Sequence, residues 1–197
     1  MVTPVPILIV GPSGVGKNAI IDRILPMFTE LESYKTTTSR PKRTPTEDKY
    51  HFVSEAAFKR LIETGGMLEW TETHGHRYGV QRAHIQAVLD DGKYPIARNG
   101  IDVKGVPAYQ QLFPGTLAIF ITVESLDQLA QRIRRTRLGT PEMEIATRLA
   151  TAREEMAALD QFTHVVVNQE GKLDDAVEEV AQIIERELGL QRKGEAA

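Results

Sequence analysis

Cysteine is absent from this chain, so neither a disulfide framework nor a thiolate zinc site can hold its fold or serve its chemistry. No apolar stretch approaches the length of about 18 residues that a membrane span needs. Met1 to Val10 is short and lacks the cationic start of a signal peptide. Charge of one sign is also missing: 24 Lys and Arg face 27 Asp and Glu, a net charge of −3. That balance offers no global attraction for nucleic acid or an anionic membrane, so any attraction for phosphate must be local. Internal repeats and low-complexity segments are lacking too. What remains is a soluble protein compatible with the reducing cytoplasm. Its 197 residues, 41% of them hydrophobic, suffice for one domain with a sizeable core and a small inserted lobe.

The strongest motif is Gly11-Pro12-Ser13-Gly14-Val15-Gly16-Lys17-Asn18, between the apolar run Ile7 to Val10 and the helical pattern Ala19 to Leu25. Glycines let the backbone curl until successive N–H groups point at one anion. The following helix adds its positive end, and Lys17 a mobile cation. Gly11, Ser13, Gly14, Val15, Gly16, Lys17 and Asn18 are therefore expected to grip the phosphates of a nucleoside triphosphate. Asn18 stands where the usual pattern has Ser or Thr, whose hydroxyl binds magnesium. Its amide oxygen makes it a weak metal ligand, so Mg2+ is expected to be held mainly by the nucleotide phosphates and water.

Strands are predicted at Pro6 to Val10, Tyr94 to Ala97, Leu117 to Val123 and His164 to Val167, with helical patterns between them. Buried runs alternating with helices predict a parallel sheet covered on both faces. Ser125-Leu126-Asp127-Gln128 reads as a capping box, and Leu173 to Leu188 carries a core stripe at helical spacing. Between Thr36 and Val80, short extended runs surround one helix, Ser54 to Thr64, which predicts a small mixed lobe. Gly189 to Ala197 is polar and rich in small residues, which predicts a frayed end.

The order of motifs resembles the guanylate kinase family over nearly the whole chain. The phosphate loop is followed by Thr36-Thr37-Thr38-Ser39-Arg40-Pro41-Lys42-Arg43, Tyr50-His51-Phe52-Val53-Ser54, Glu69-Trp70 and His74 to Gly79. Arg132 to Arg137, Arg148-Leu149 and Val165 to Asn168 complete it. The resemblance implies an α/β fold: a P-loop doubly wound parallel sheet with a small inserted acceptor-binding lobe and an arginine-bearing lid. As one domain it divides into a core (1–33 and 81–188), a lobe (34–80), a lid (132–148) and a tail (189–197). It implies ATP-dependent phosphorylation of GMP or dGMP with Mg2+, by a cytoplasmic monomer or homodimer whose partners are these small molecules, not nucleic acid or membrane.

Phosphoryl transfer between two polyanions needs cations that join them and neutralise growing charge, and the arginine fork suits phosphate oxygens. By resemblance Arg40, Arg43, Tyr50 and Tyr78 hold the acceptor phosphate, while Thr36, Glu69 and Asp102 contact guanine. Arg132 and Asn168 flank ATP, and Lys17, Arg43, Arg137 and Arg148 surround the transferred group. A length difference leaves the lid assignment open between Arg135 and Arg137.

Two departures stand against this pattern. The family's Asp-x-Asp falls on Arg98 and Gly100, or, with an insertion, keeps only Asp102. Val80 replaces a hydroxyl residue near the acceptor base. Both resemble the ribose 1,5-bisphosphate phosphokinases, a sugar-phosphate alternative on the same fold. A non-catalytic guanylate-kinase-like module that binds proteins is the third reading; Lys17 and the lid arginines argue against it.

Overall fold

The computed structural model describes residues 3–73, 75–97, 101, 103–136 and 139–194. Along the chain these form β1 (Ile7–Val10), α1 (Lys17–Ile24), β2 (Leu31–Tyr34), β3 (Thr37–Thr38), β4 (His51–Phe52), α2 (Glu55–Glu63), β5 (Met67–Thr73) and β6 (His76–Gln81). The second half adds α3 (Arg82–Asp90), β7 (Tyr94–Ala97), α4 (Val106–Leu112), β8 (Leu117–Thr122), α5 (Leu126–Thr136), α6 (Glu142–Met156), β9 (His164–Val167) and α7 (Leu173–Leu188).

Five strands make one parallel sheet in the order β2-β7-β1-β8-β9. Successive side chains of a strand point to opposite faces, and β1 shows the consequence. Ile7 and Ile9 pack with Ile20, Ile24 and Ile184 on one face; Leu8 and Val10 pack with Ile85, Val106 and Tyr109 on the other. All four β1 residues are buried, because helices cover both faces. The four predicted strands are present to within one residue at either end. β2 is the strand the pattern did not reveal. It is an edge strand whose Glu32 is exposed between buried Leu31 and Tyr34, so polarity interrupts its apolar signal.

A second sheet, β4-β3-β6-β5, carries the inserted lobe. Its helix is closed at the start by Ser54, whose hydroxyl accepts the Ala57 N–H at 3.1 Å. The Ser125 cap forms in part as expected: its hydroxyl accepts the Gln128 N–H at 3.2 Å. The Gln128 side chain instead reaches Glu124, so the reciprocal half of the box shifts back by one residue.

The expected fraying of the tail does not describe residues 189–194. Arg192 bonds Glu178 (2.8 Å) and Glu185 (2.9 Å) on α7, and the Lys193 N–H reaches the Met27 carbonyl at 2.8 Å. Leu190 packs against the larger core cluster. Arg192 there is committed to ion pairs with α7, while Gln191 and Lys193 remain exposed. No described helix is long and apolar enough to cross a membrane.

Candidate active site

The segment between β1 and α1 curls as a phosphate loop. Gly11, Gly14 and Gly16 all take positive φ (124°, 97° and 102°), conformations that L side chains rarely adopt. At Gly16 space is also closed: a Cβ would stand 2.4 Å from the Asn168 amide nitrogen. Lys17 opens α1 and lays its ammonium over the loop, donating to the carbonyls of Gly11 and Pro12, the latter at 2.9 Å. Asn18 follows on the exposed side of the first helical turn.

Two buried polar side chains brace this loop from behind. Asn168 donates to the Val15 carbonyl at 2.7 Å. Arg132, 9% exposed, donates to the carbonyls of Val15 (3.4 Å) and Asn168 (2.8 Å) and to the Glu170 carboxylate (2.6 Å). Glu170 also takes Arg135 at 2.6 Å, and these two arginines hold its carboxyl below the usual carboxylate range. Arg132 thus ties α5, β9 and the loop together, while Arg134 pairs outward with Glu142 at 2.8 Å. Arg148, from α6, is held by Glu144 (2.6 Å) with a nitrogen 3.5 Å from the Ser13 hydroxyl of the loop. Arg137, Asp102 and the segment Arg98 to Gly100 lie outside the described residues.

In the lobe, Arg40, Tyr50 and Tyr78 come together. The Tyr50 and Tyr78 rings meet edge to face at 5.7 Å, and the Arg40 guanidinium stands 5.7 Å from the Tyr50 ring and 5.4 Å from Phe52. The organiser is Glu47, which sequence reasoning missed. Its carboxylate takes Arg40 at 2.6 Å and the Arg43 backbone N–H at 2.7 Å, so it fixes the turn that presents both arginines. Those donors hold Glu47 below the ordinary carboxylate range. Burial, and next the neighbouring Tyr78, push the Tyr50 hydroxyl up, so at neutral pH it is a proton donor. Arg43 itself is exposed.

A cavity of about 450 Å³ opens beside this cluster, lined by Thr36, Glu69, Trp70, Tyr78, Gly79 and Lys104. Thr36 Oγ1 is buried there with no hydrogen-bond partner, a polar group whose desolvation is uncompensated until something enters. Behind Glu69, the buried hydroxyls of Tyr34 and Tyr109 lie 3.4 Å apart, and burial pushes both up, with the Glu69 charge adding to the shift. Val80 stands directly across the strand ladder from Glu69, and its side chain packs in the second core cluster.

Gly105, which sequence reasoning also missed, sits directly against Glu69. A Cβ there would stand 1.6 Å from Glu69 Oε2. The clashing atom is the end of a flexible side chain, so Gly105→Ala is expected to keep its melting temperature while swinging the carboxylate aside. The expected result is a KM for the phosphoryl acceptor raised about tenfold, the cost of roughly one lost charge-assisted hydrogen bond, with KM for the donor nucleotide unchanged. An unaltered KM in steady-state kinetics would mean that the carboxylate position is immaterial.

Comparison with known proteins agrees with this geometry. The guanylate kinase family model matches residues 3–187. A guanylate kinase of Thermotoga maritima is 35% identical over 183 residues, covering 91% of this chain and 86% of that protein. One of Gloeobacter violaceus is 38% identical, covering 90% and 85%. The crystal structure of guanylate kinase from Anaplasma phagocytophilum, at 21% identity, shares the fold with a TM-score of 0.68 over 98% of this chain. None of these relatives favours the sugar-phosphate or the inert-module reading. A family match across nearly the whole length, a phosphate loop with its lysine in place and a separate carboxylate-bearing cavity lead to one assignment: the chain is a nucleoside monophosphate kinase that belongs to the guanylate kinase family.

Proposed function

We propose that this enzyme transfers the γ-phosphoryl group of ATP to the phosphate of GMP or dGMP. The observation that carries the acceptor reading is the cavity in which Glu69 is pressed against Gly105 beside the unpartnered hydroxyl of Thr36. A carboxylate there can accept from both the ring N–H and the exocyclic amine of guanine, a pairing adenine does not offer.

In the proposed reaction an anionic oxygen of the acceptor phosphate attacks the γ-phosphorus. The bond from that phosphorus to the β–γ bridging oxygen breaks, leaving ADP, and no covalent enzyme intermediate is needed. Arg40, Arg43, Tyr50 and Tyr78 hold the acceptor phosphate. The loop from Gly11 to Gly16 and Lys17 hold the donor, flanked by Arg132 and Asn168. Arg148, together with Arg137, neutralises charge on the group in transit, while Asp102 joins Thr36 and Glu69 at the base. The partners are these small molecules, and use of ATP fits work in the cytoplasm.

Magnesium, when bound to the nucleotide, draws charge off the β- and γ-phosphate oxygens. Among the described residues no cluster of three His, Asp or Glu side chains exists to hold it. Asn18, exposed in the first turn of α1, fits as one neutral oxygen donor to an ion that keeps most of its water. Asn18→Ser is expected to lower the magnesium concentration that gives half-maximal rate at fixed ATP. A requirement that stays the same or worsens would show that the amide suits this site.

The acceptor is tested by measuring ATP consumption with GMP, dGMP, AMP, UMP and ribose 1,5-bisphosphate offered separately. GMP and dGMP are expected to drive it. Consumption confined to the sugar bisphosphate would overturn the reading.

A further inference from the structure

The carboxylate of Glu69 answers the two N–H groups of guanine, but the base also presents two acceptors, O6 and N7, on its other polar edge. A cavity that buries the base must offer donors to that edge or leave it unsatisfied, at a cost comparable to a lost hydrogen bond. Across the ladder from Glu69 the chain places Val80, 1% exposed and without a donor. Thr36 brings one hydroxyl. Among the described residues that line the cavity the cation is Lys104, on the short 3-10 turn Val103–Gly105, whose Gly105 is the residue pressed against Glu69 Oε2. Its backbone therefore lies beside the carboxylate, and Lys104 lines the same cavity as Glu69.

We propose that Lys104 is a specificity-determining residue that donates from its ammonium to the O6/N7 edge of the acceptor base. This rests on the reading of the acceptor as GMP. Lysine to the O6/N7 edge of guanine is a pairing known from base recognition in nucleic acids. Adenine presents an amine donor where guanine presents O6, so the same ammonium repels AMP. Glu69 and Lys104 then read adjoining edges of one base: the carboxylate selects its N–H groups, the ammonium its acceptors.

The test uses the full-length enzyme and three variants: Lys104→Met, Lys104→Gln and Lys104→Arg. Lys104→Met is expected to raise KM for GMP about tenfold, the usual discrimination of one good base contact, with KM for ATP unchanged. IMP, which keeps O6 and N7 but lacks the exocyclic amine, is expected to lose the same factor. Lys104→Arg restores GMP to within about twofold of wild type, and Lys104→Gln, a neutral donor, recovers part of the loss. AMP, measured as a competitive inhibitor, is expected to bind Lys104→Met at least as well as wild type. A GMP KM within twofold of wild type in Lys104→Met overturns the proposal. So does parallel weakening of GMP and AMP, which would mean that the stem merely shapes the cavity. If the wild-type enzyme does not consume ATP with GMP at all, the acceptor reading fails instead, and the two failures are distinct.

Discussion

Replacing Lys17 by methionine is expected to lower phosphoryl transfer by about a thousandfold while leaving a folded protein. A charge-assisted contact is worth roughly 1.5–3 kcal/mol in ordinary settings. A preorganised donor aimed at charge that develops in the transition state is worth about 10²–10³ in rate. Lys17 combines a full charge with placement at the loop's mouth, so the upper end applies. The structure adds a small stability term. The ammonium bonds the carbonyls of Gly11 and Pro12 and so helps to close the loop. Methionine forfeits those bonds, a loss of about 1 kcal/mol in a partly exposed setting. The remaining framework of the loop, Asn168 and Arg132 on the Val15 carbonyl, is untouched. Steady-state kinetics beside a thermal melt checks both halves. Near-normal turnover would remove the phosphate loop from the chemistry.

The phosphate loop was legible because its parts are contiguous: the turn, the lysine and the helix start occupy eight successive residues, and the glycine spacing itself encodes positive φ. The core strands were legible because a run buried on both faces is apolar throughout. β2 was not, since exposed Glu32 and half-buried Ser33 interrupt its apolar signal between buried Leu31 and Tyr34. Glu47 escaped notice for a different reason. Its partner Arg40 is seven positions away in an irregular loop, where no helical or strand period relates the two. Gly105 was likewise silent, because its contact with Glu69 joins a turn to a strand 36 residues earlier in the chain. Val80 shows how a sequence departure changes meaning in three dimensions. Read along the chain it is a missing hydroxyl; in the fold it is a core side chain beside Tyr34 and Ile85. The tail misled because composition counts charges without saying which of them find partners, and Arg192 finds two.

Glu69→Ala is expected to weaken GMP by about a hundredfold while leaving ATP affinity unchanged. The carboxylate is the acceptor for both guanine N–H groups in the proposed mode, and a site built to hydrogen-bond a substrate loses orders of magnitude in discrimination when that pairing fails. Glu69 is part-exposed on β5, and its removal leaves Tyr34 and Tyr109 still bonded to each other. Binding to GMP and ATP measured separately by calorimetry decides this, and equal GMP affinity in wild type and variant would turn the reading toward a sugar phosphate. Gly105 makes the test sharper. If Gly105→Ala acts only by displacing the Glu69 carboxylate, it has nothing left to displace once that carboxylate is gone. The double variant is then expected to match Glu69→Ala alone, whereas independent contributions would add. A double variant clearly weaker than Glu69→Ala would show that Gly105 shapes the cavity in its own right. An equal one ties the glycine at 105 to the position of one carboxylate, and through it to the choice of base.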